Sequence, residues 1–258
     1  MSAFREKIVC FGDSITQEGF EIGGWVALLS NLYRRRADVL NRGYSGYNTR
    51  KAIHMLDFIF PAETPCLLST VFFGANDSAS SITKADQHIP LDEFLTNISS
   101  IVDRALVVSR VVVVITPPPV DTLRWPDRTN DFAGEYARGI VSLINEKYSS
   151  KNVFVLDLFT LMTSSKYVEG APGTRLSGDP VYFSYLSDGL HLNGAGNAFV
   201  CNHLMQLLDQ KAPFVLPDSL TIDFPLWRTI GNDHESTMKA FSKEALDELH
   251  AVARPIWK

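Results

Sequence analysis

Short apolar runs alternate along the chain with longer stretches in which apolar residues recur at helical spacing. The short runs predict five strands, over residues 7–11, 37–41, 67–73, 110–116 and 152–157. The longer stretches predict helices over residues 25–36, 49–58, 91–108 and 128–148, and a further apolar helix over residues 194–208. This alternation is typical of βαβ units, in which a helix connects two parallel strands.

The fourth short run contains Val111-Val112-Val113-Val114-Ile115, a continuous series of β-branched residues. A strand of a parallel sheet is covered on both faces, so its sequence is continuously apolar rather than alternating. We therefore expect a doubly wound α/β fold, with a parallel sheet of about five strands between two layers of helices. Polar sites in such sheets lie beyond the carboxyl ends of the strands.

Polar strings follow the first three predicted strands and should converge at that edge. They are Gly12-Asp13-Ser14, Tyr44-Ser45-Gly46 and Gly74-Ala75-Asn76-Asp77. A serine nucleophile such as Ser14 needs a base within hydrogen-bond reach and a third group that orients the base. Asp188 and His191 supply those two groups, just before the last apolar helix. Taken alone, Ser14 and Asp188 would each also suit the start of a helix.

His191 has a carboxylate three residues before it, and one turn of chain can bring Asp188 to its Nδ1 atom. This arrangement leaves Nε2 for Ser14. Acyl transfer also needs fixed donors for an oxyanion, and the N–H groups of Ser14 and Gly46 and the side-chain amide of Asn76 are the candidates. We expect Asp13 to bind local backbone and hold the turn rather than act in the triad.

Four strings in this order resemble the blocks of the SGNH-hydrolase family, also called GDSL esterases and lipases. The strings begin at Phe11, Asn41, Phe73 and Asp188, and the resemblance covers residues 7–212. Further strings are similar to the isoamyl acetate-hydrolysing esterase branch, namely Gly23-Gly24-Trp25, Arg42-Gly43-Tyr44, Thr116-Pro117-Pro118-Pro119 and Phe224-Pro225-Leu226-Trp227. Four ordered blocks are far more specific than any single one.

The resemblance implies a flavodoxin-like, three-layer sandwich and a carboxylic ester hydrolase that works through a serine acyl-enzyme without a cofactor. For the branch, it implies short-chain acetate esters of alcohols such as isoamyl acetate. The family also contains lysophospholipases, thioesterases and carbohydrate acetylesterases, and the fold does not separate them. A non-catalytic ligand-binding protein on the same fold is the alternative from another functional class.

Composition narrows the choice of partners. With a net charge of −5 over 258 residues and one tight cationic cluster, Arg34-Arg35-Arg36, the chain has no basic face for nucleic acid. We interpret that cluster as a solvated helix end. The first apolar run is too short for a signal sequence or membrane span, so we expect a cytoplasmic protein without stable membrane insertion. The partner that the resemblance implies is a small-molecule ester. Three cysteines without paired spacing fit a reducing compartment.

The motifs for cofactors are missing from the sequence. No histidine pair of metal-ligand spacing occurs, so we expect no catalytic metal. A glycine-rich phosphate loop is also lacking, which speaks against a flavodoxin-like nucleotide-binding protein. The family resemblance covers residues 7–212, and we interpret residues 1–212 as one catalytic domain.

Residues 213–258 form a tail beyond that domain, with an amphipathic run near 236–252. The tail carries many large apolar residues, namely Phe214, Phe224, Leu226, Trp227, Phe241, Leu246, Leu249, Ile256 and Trp257. Because so much apolar surface is unfavourable in water, we expect the tail to pack beside the catalytic edge and to take part in a homodimer.

Overall fold

The computed structural model describes residues 5–164 and 180–251, and its centre is a parallel sheet. The strands are β1 Glu6–Gly12, β2 Ala37–Gly43, β3 Cys66–Phe72, β4 Ser109–Ile115 and β5 Val153–Leu156. Their order is β2-β1-β3-β4-β5, and every neighbouring pair is parallel. The predicted five-stranded parallel sheet is confirmed, with strand bounds that differ by one or two residues.

Ten α-helices lie within the described ranges. They are α1 Ser14–Gln17, α2 Trp25–Leu32, α3 Thr49–Ala52, α4 Leu56–Ile59, α5 Leu91–Val108, α6 Asn130–Lys147, α7 Leu158–Ser164, α8 Gly194–Lys211, α9 His234–Ala240 and α10 Lys243–Ala251. Helices α2 and α8 pack together, as do α5 and α6.

Alternate residues of each strand divide the core between the two faces of the sheet. Val111 and Val113 pack in the same cluster as α2 and α8, whereas Val112 and Val114 pack with α5 and α6. All four valines are fully buried. The β-branched run therefore serves both faces, as expected for a central parallel strand, and the three-layer α/β prediction is confirmed.

Two predicted helices differ from the structure. The segment predicted as one helix over residues 49–58 is divided into α3, a 3₁₀ turn at Ile53–Met55 and α4. Apolar spacing does not distinguish an α-helical turn from a 3₁₀ turn over so short a segment. Helix α2 ends at Leu32 rather than at residue 36, and Arg35 then takes φ = 65°, which a right-handed helix cannot accommodate.

The tail docks at the edge of the sheet opposite to the one we predicted. Asp223 forms ion pairs with Arg5 and with Arg35, and the Arg36 guanidinium donates to the Pro217 carbonyl at 2.7 Å. Arg5 precedes β1 and Arg36 precedes β2, so these contacts lie at the amino ends of the strands. The prediction of a position beside the catalytic edge is therefore wrong for this part of the tail.

The same contacts correct our interpretation of the arginine cluster, because two of its members bind the tail instead of water. Burial alone would raise the pKa of Asp223, but hydrogen bonds from Arg5 and Arg35 outweigh burial and lower it. Beyond this anchor, Trp227 is 75% exposed and Phe241 is 46% exposed. The tail residues Ile256 and Trp257 lie outside the described residues.

Candidate active site

Ser14 lies at the carboxyl end of β1, where the chain turns directly into α1. Asp13 caps that helix, and its Oδ1 atom accepts from the Ile15 N–H at 3.0 Å. Helix α1 sits so close to β2 that a Cβ added to Gly43 would lie 1.9 Å from the Gln17 nitrogen. Only glycine fits at this position, so Gly43, the last residue of β2, allows the helix that begins at Ser14 to pack against the strand.

The structure brings Ser14, His191 and Asp188 together in a hydrogen-bonded chain. Ser14 Oγ is 2.9 Å from His191 Nε2, and His191 Nδ1 is 2.8 Å from Asp188 Oδ2. The other carboxylate oxygen, Oδ1, accepts from the backbone N–H groups of Leu190 and His191. Burial would raise the pKa of Asp188, but these hydrogen bonds outweigh burial and lower it. Asp188 is therefore held as a carboxylate that orients the imidazole.

A tight loop between the 3₁₀ turn Val181–Tyr185 and α8 carries the acid and the base. Leu186 and Leu192 form an isolated antiparallel bridge across the loop. From the neighbouring segment, the Trp125 Nε1–H donates to the Asp188 carbonyl at 3.2 Å, and the Trp125 and His191 rings meet edge to face at 6.2 Å. These contacts brace the loop and the imidazole ring.

Gly46 and Asn76, the other predicted oxyanion donors, are connected through Tyr47, the residue that follows Gly46. Gly46 has φ = 75°, a conformation that favours glycine, and within the described ranges its N–H has no acceptor. The Tyr47 carbonyl accepts from Asn76 Nδ2 at 2.9 Å, while Asn76 Oδ1 faces Arg128 at 3.3 Å. Because a guanidinium only donates, the amide orientation is determined, and the second N–H of Nδ2 has no acceptor among the residues that the structure describes.

The GDSL-like lipase/acylhydrolase family model matches residues 10–199 of this chain. The chain belongs to this family. The prediction from the four ordered strings is thereby confirmed, because the matched region contains all of them. Membership in this family makes the chain a hydrolase with esterase activity.

Relatives extend the similarity over nearly the whole chain of this GDSL-family esterase. A GDSL esterase/lipase of Arabidopsis thaliana is 36% identical over 94% of this chain and 100% of its own length. The isoamyl acetate-hydrolyzing esterase 1 homolog of Bos taurus is 38% identical over 87% of this chain and 88% of its own length. Among solved structures, a lipase/acylhydrolase from Enterococcus faecalis is 25% identical with a TM-score of 0.61, covering 80% of this chain and 96% of that one.

Arg128 is a site residue of this esterase that the sequence did not indicate. It is 4% exposed, and its guanidinium binds Asn76 Oδ1, the Ala75 carbonyl at 3.1 Å and Gln87 Oε1 at 2.8 Å. It also stacks on Trp125, 4.9 Å from the ring centroid. Arg128 thus connects the Asn76 amide with the indole that braces His191. Its string, Pro126-Asp127-Arg128-Thr129-Asn130, shows only the start of a helix.

Glu18 is a second residue that sequence reasoning missed. Its Oε1 atom lies 3.9 Å from His191 Nε2, the atom that faces Ser14. The signal was available, since Glu18 follows Ser14 by four residues and residues at that spacing share one face of a helix. The four-residue spacing could not be interpreted without knowing where His191 lies.

Two buried carboxyl groups lie beneath this site. Burial raises the pKa of Asp13 to about 7, and it raises the pKa of Asp77 to about 6. Asp77 Oδ1 accepts from the Thr49 N–H at 2.8 Å and from its hydroxyl at 2.5 Å. The Oδ2 atoms of both carboxyl groups have no partner in the part of the chain that the structure describes.

Metal-binding clusters and membrane-spanning helices are both absent from the described residues. Across residues 5–164 and 180–251, no group of three His, Cys, Asp or Glu side chains is placed to hold a metal ion. No helix within the same ranges is long and apolar enough to cross a membrane.

Proposed function

We propose that this chain hydrolyses carboxylic esters through an acyl-enzyme on Ser14. The observation that carries the proposal is the pair of short contacts on either side of the His191 ring, 2.9 Å to Ser14 Oγ and 2.8 Å to Asp188 Oδ2. As the serine oxygen attacks the ester carbonyl, Nε2 takes its proton. The carboxylate of Asp188 stabilises the imidazolium that forms.

The negative charge of the tetrahedral intermediate falls on the former carbonyl oxygen. We assign its stabilisation to the N–H groups of Ser14 and Gly46 and to the second N–H of the Asn76 amide. When the intermediate collapses, the bond between the acyl carbon and the alcohol oxygen breaks, and that oxygen takes the proton from His191. Water then attacks the acyl-enzyme in the same way, with His191 again acting as the base, and this step releases the acid and restores the Ser14 hydroxyl. No step needs a cofactor.

For the substrate, we propose short-chain acetate esters of alcohols, with isoamyl acetate as the representative. The support is the 38% identity to the isoamyl acetate-hydrolyzing esterase 1 homolog of Bos taurus. Hydrolysis rates across a series of 4-nitrophenyl esters from acetate to decanoate would test this assignment. We expect the highest kcat/KM at the two-carbon to four-carbon acyl groups, and an optimum at eight or more carbons would overturn it.

Labelling with a fluorophosphonate probe tests the nucleophile itself, because the reaction requires an activated serine. We expect the intact protein to label at Ser14, and Ser14→Ala to lose both labelling and at least about 10³-fold of kcat. Ser45→Ala is the matched control, since Ser45 is an exposed serine in the adjacent loop. Labelling that persists in Ser14→Ala would refute the assignment, and an unlabelled intact protein would favour a non-catalytic binding protein.

A further inference from the structure

Glu18 is positioned by the same short helix that carries Ser14. Its backbone N–H donates to the Ser14 carbonyl, so Glu18 lies one full turn beyond the serine. Its side chain is 39% exposed, and its Oε1 atom is 3.9 Å from His191 Nε2. A carboxylate therefore stands beside the nitrogen that must exchange protons with the substrate.

No other residue that the structure describes satisfies this carboxylate. Within residues 5–164 and 180–251, no lysine or arginine lies within ion-pair distance of Glu18, and no N–H or O–H group donates to its side chain. Partial burial raises the pKa of Glu18, and the negative charges of Glu21 and Asp188 raise it further against the opposing effect of His191. A half-buried carboxylate is unfavourable unless a donor or cation reaches it.

The proposed reaction brings a part of the substrate to this position. When the ester bond breaks, the alcohol oxygen takes its proton from Nε2, so it must come within about 3 Å of that atom. Glu18 Oε1 is 3.9 Å from the same nitrogen. The alcohol oxygen therefore lies at most about 7 Å from the carboxylate, close enough for a charge two carbons further along the alcohol to interact with it.

We propose that Glu18 determines alcohol specificity by favouring esters of amino alcohols, whose ammonium group lies two carbons beyond the ester oxygen. By the same interaction, Glu18 disfavours alcohols that carry a sulfonate or phosphate at that position. The inference rests on the proposed function and defines the alcohol half of its substrate. Isoamyl acetate has the corresponding shape without the charge.

Three acetate esters with similar alcohol size test the proposal. Acetylcholine is cationic, 3,3-dimethylbutyl acetate is its neutral isostere, and 2-acetoxyethanesulfonate is anionic. The measurement is kcat/KM for each ester at pH 8 and low salt, with the intact chain and with Glu18→Gln. We expect the ratio of acetylcholine to 3,3-dimethylbutyl acetate to fall roughly 5–10-fold in Glu18→Gln, and the relative rate of the sulfonate to rise by a similar factor.

Glu21→Gln is the matched control, because it removes the same charge from a neighbouring residue that is exposed. We expect its ratio to change less than twofold. An unchanged ratio in Glu18→Gln, or an equal change in Glu21→Gln, would overturn the inference while leaving the esterase proposal intact. Failure of the intact chain to hydrolyse any of the three esters would instead overturn the proposed function.

A second series places the charge on the acyl group. It compares ethyl 4-(trimethylammonio)butanoate with its neutral isostere, ethyl 5,5-dimethylhexanoate. We expect Glu18→Gln to change this ratio less than twofold. A change confined to the acyl series would place Glu18 beside the acyl group and overturn the assignment to the alcohol.

Discussion

The buried carboxyl of Asp13 should make the free energy of unfolding depend on pH in the neutral range. In the unfolded chain the pKa of an aspartate is about 4. In the fold, burial first and then the charge of Asp77 raise the pKa of Asp13 to about 7, against the hydrogen bond from the Ile15 N–H. Because the unfolded chain releases this proton first, stability falls as the pH rises from about 4 to about 7.

The size of the effect follows from the pKa difference. Each pKa unit is worth about 1.4 kcal/mol, so the two units between pH 5 and pH 7 correspond to about 3 kcal/mol of lost stability. Asp188 and Asp223 have lowered pKa values, so the stability that they contribute is already complete above pH 5. They therefore do not offset the loss caused by Asp13 in this window.

Urea unfolding at pH 5 and pH 8 measures this loss. In Asp13→Asn the side-chain oxygen can still accept from the Ile15 N–H, but the group no longer ionises. We expect the fall in the free energy of unfolding between the two pH values to shrink by about 3 kcal/mol in this variant. The exposed Asp86→Asn is the control and should keep the wild-type difference. An unchanged difference in Asp13→Asn would show that the carboxyl is already ionised in the fold and would refute the reasoning.

Other perturbations test the oxyanion donors and the tail. Asn76→Ala should lower kcat by roughly 10²–10³-fold with little change in KM, because the oxyanion exists only in the transition state, and an effect confined to KM would contradict this role. Arg128→Lys loses the fork that holds the Asn76 oxygen, so kcat should fall, and the substitution should have almost no further effect in Asn76→Ala; additive losses would show that Arg128 acts independently of Asn76. Asp223→Asn should lower the free energy of unfolding by about 1–3 kcal/mol in urea titrations. Both arginines that bind Asp223 are partly exposed, and exposed ion pairs contribute little to stability. An unchanged free energy of unfolding would therefore show that this anchor contributes little. We also propose that the exposed apolar tail forms a homodimer; sedimentation should give twice the mass of one chain, Trp227→Glu should weaken the association, and a monomeric wild-type protein would contradict it.

Local sequence patterns determined the secondary structure and the sheet edge at which the site lies. The continuous β-branched run predicted a strand buried on both faces, and the spacing over residues 91–108 predicted α5 with the observed bounds. Ser14 and Asn76 were assigned to the same edge because each follows a parallel strand, and the carboxyl ends of such strands meet there. These features depend on residues that are neighbours in the chain, so the sequence expresses them directly.

Only the tertiary structure decided which residues from distant parts of the chain meet. The bond from Arg128 to Asn76, the approach of Glu18 to His191 and the ion pairs of Asp223 each join separate segments of the chain. In the sequence, a buried arginine cannot be distinguished from a surface charge, and the arginine cluster was interpreted as a solvated helix end. Burial and charge pairing arise when the sheet and helices close around these groups, so the partners of a charged residue are determined by packing rather than by local pattern.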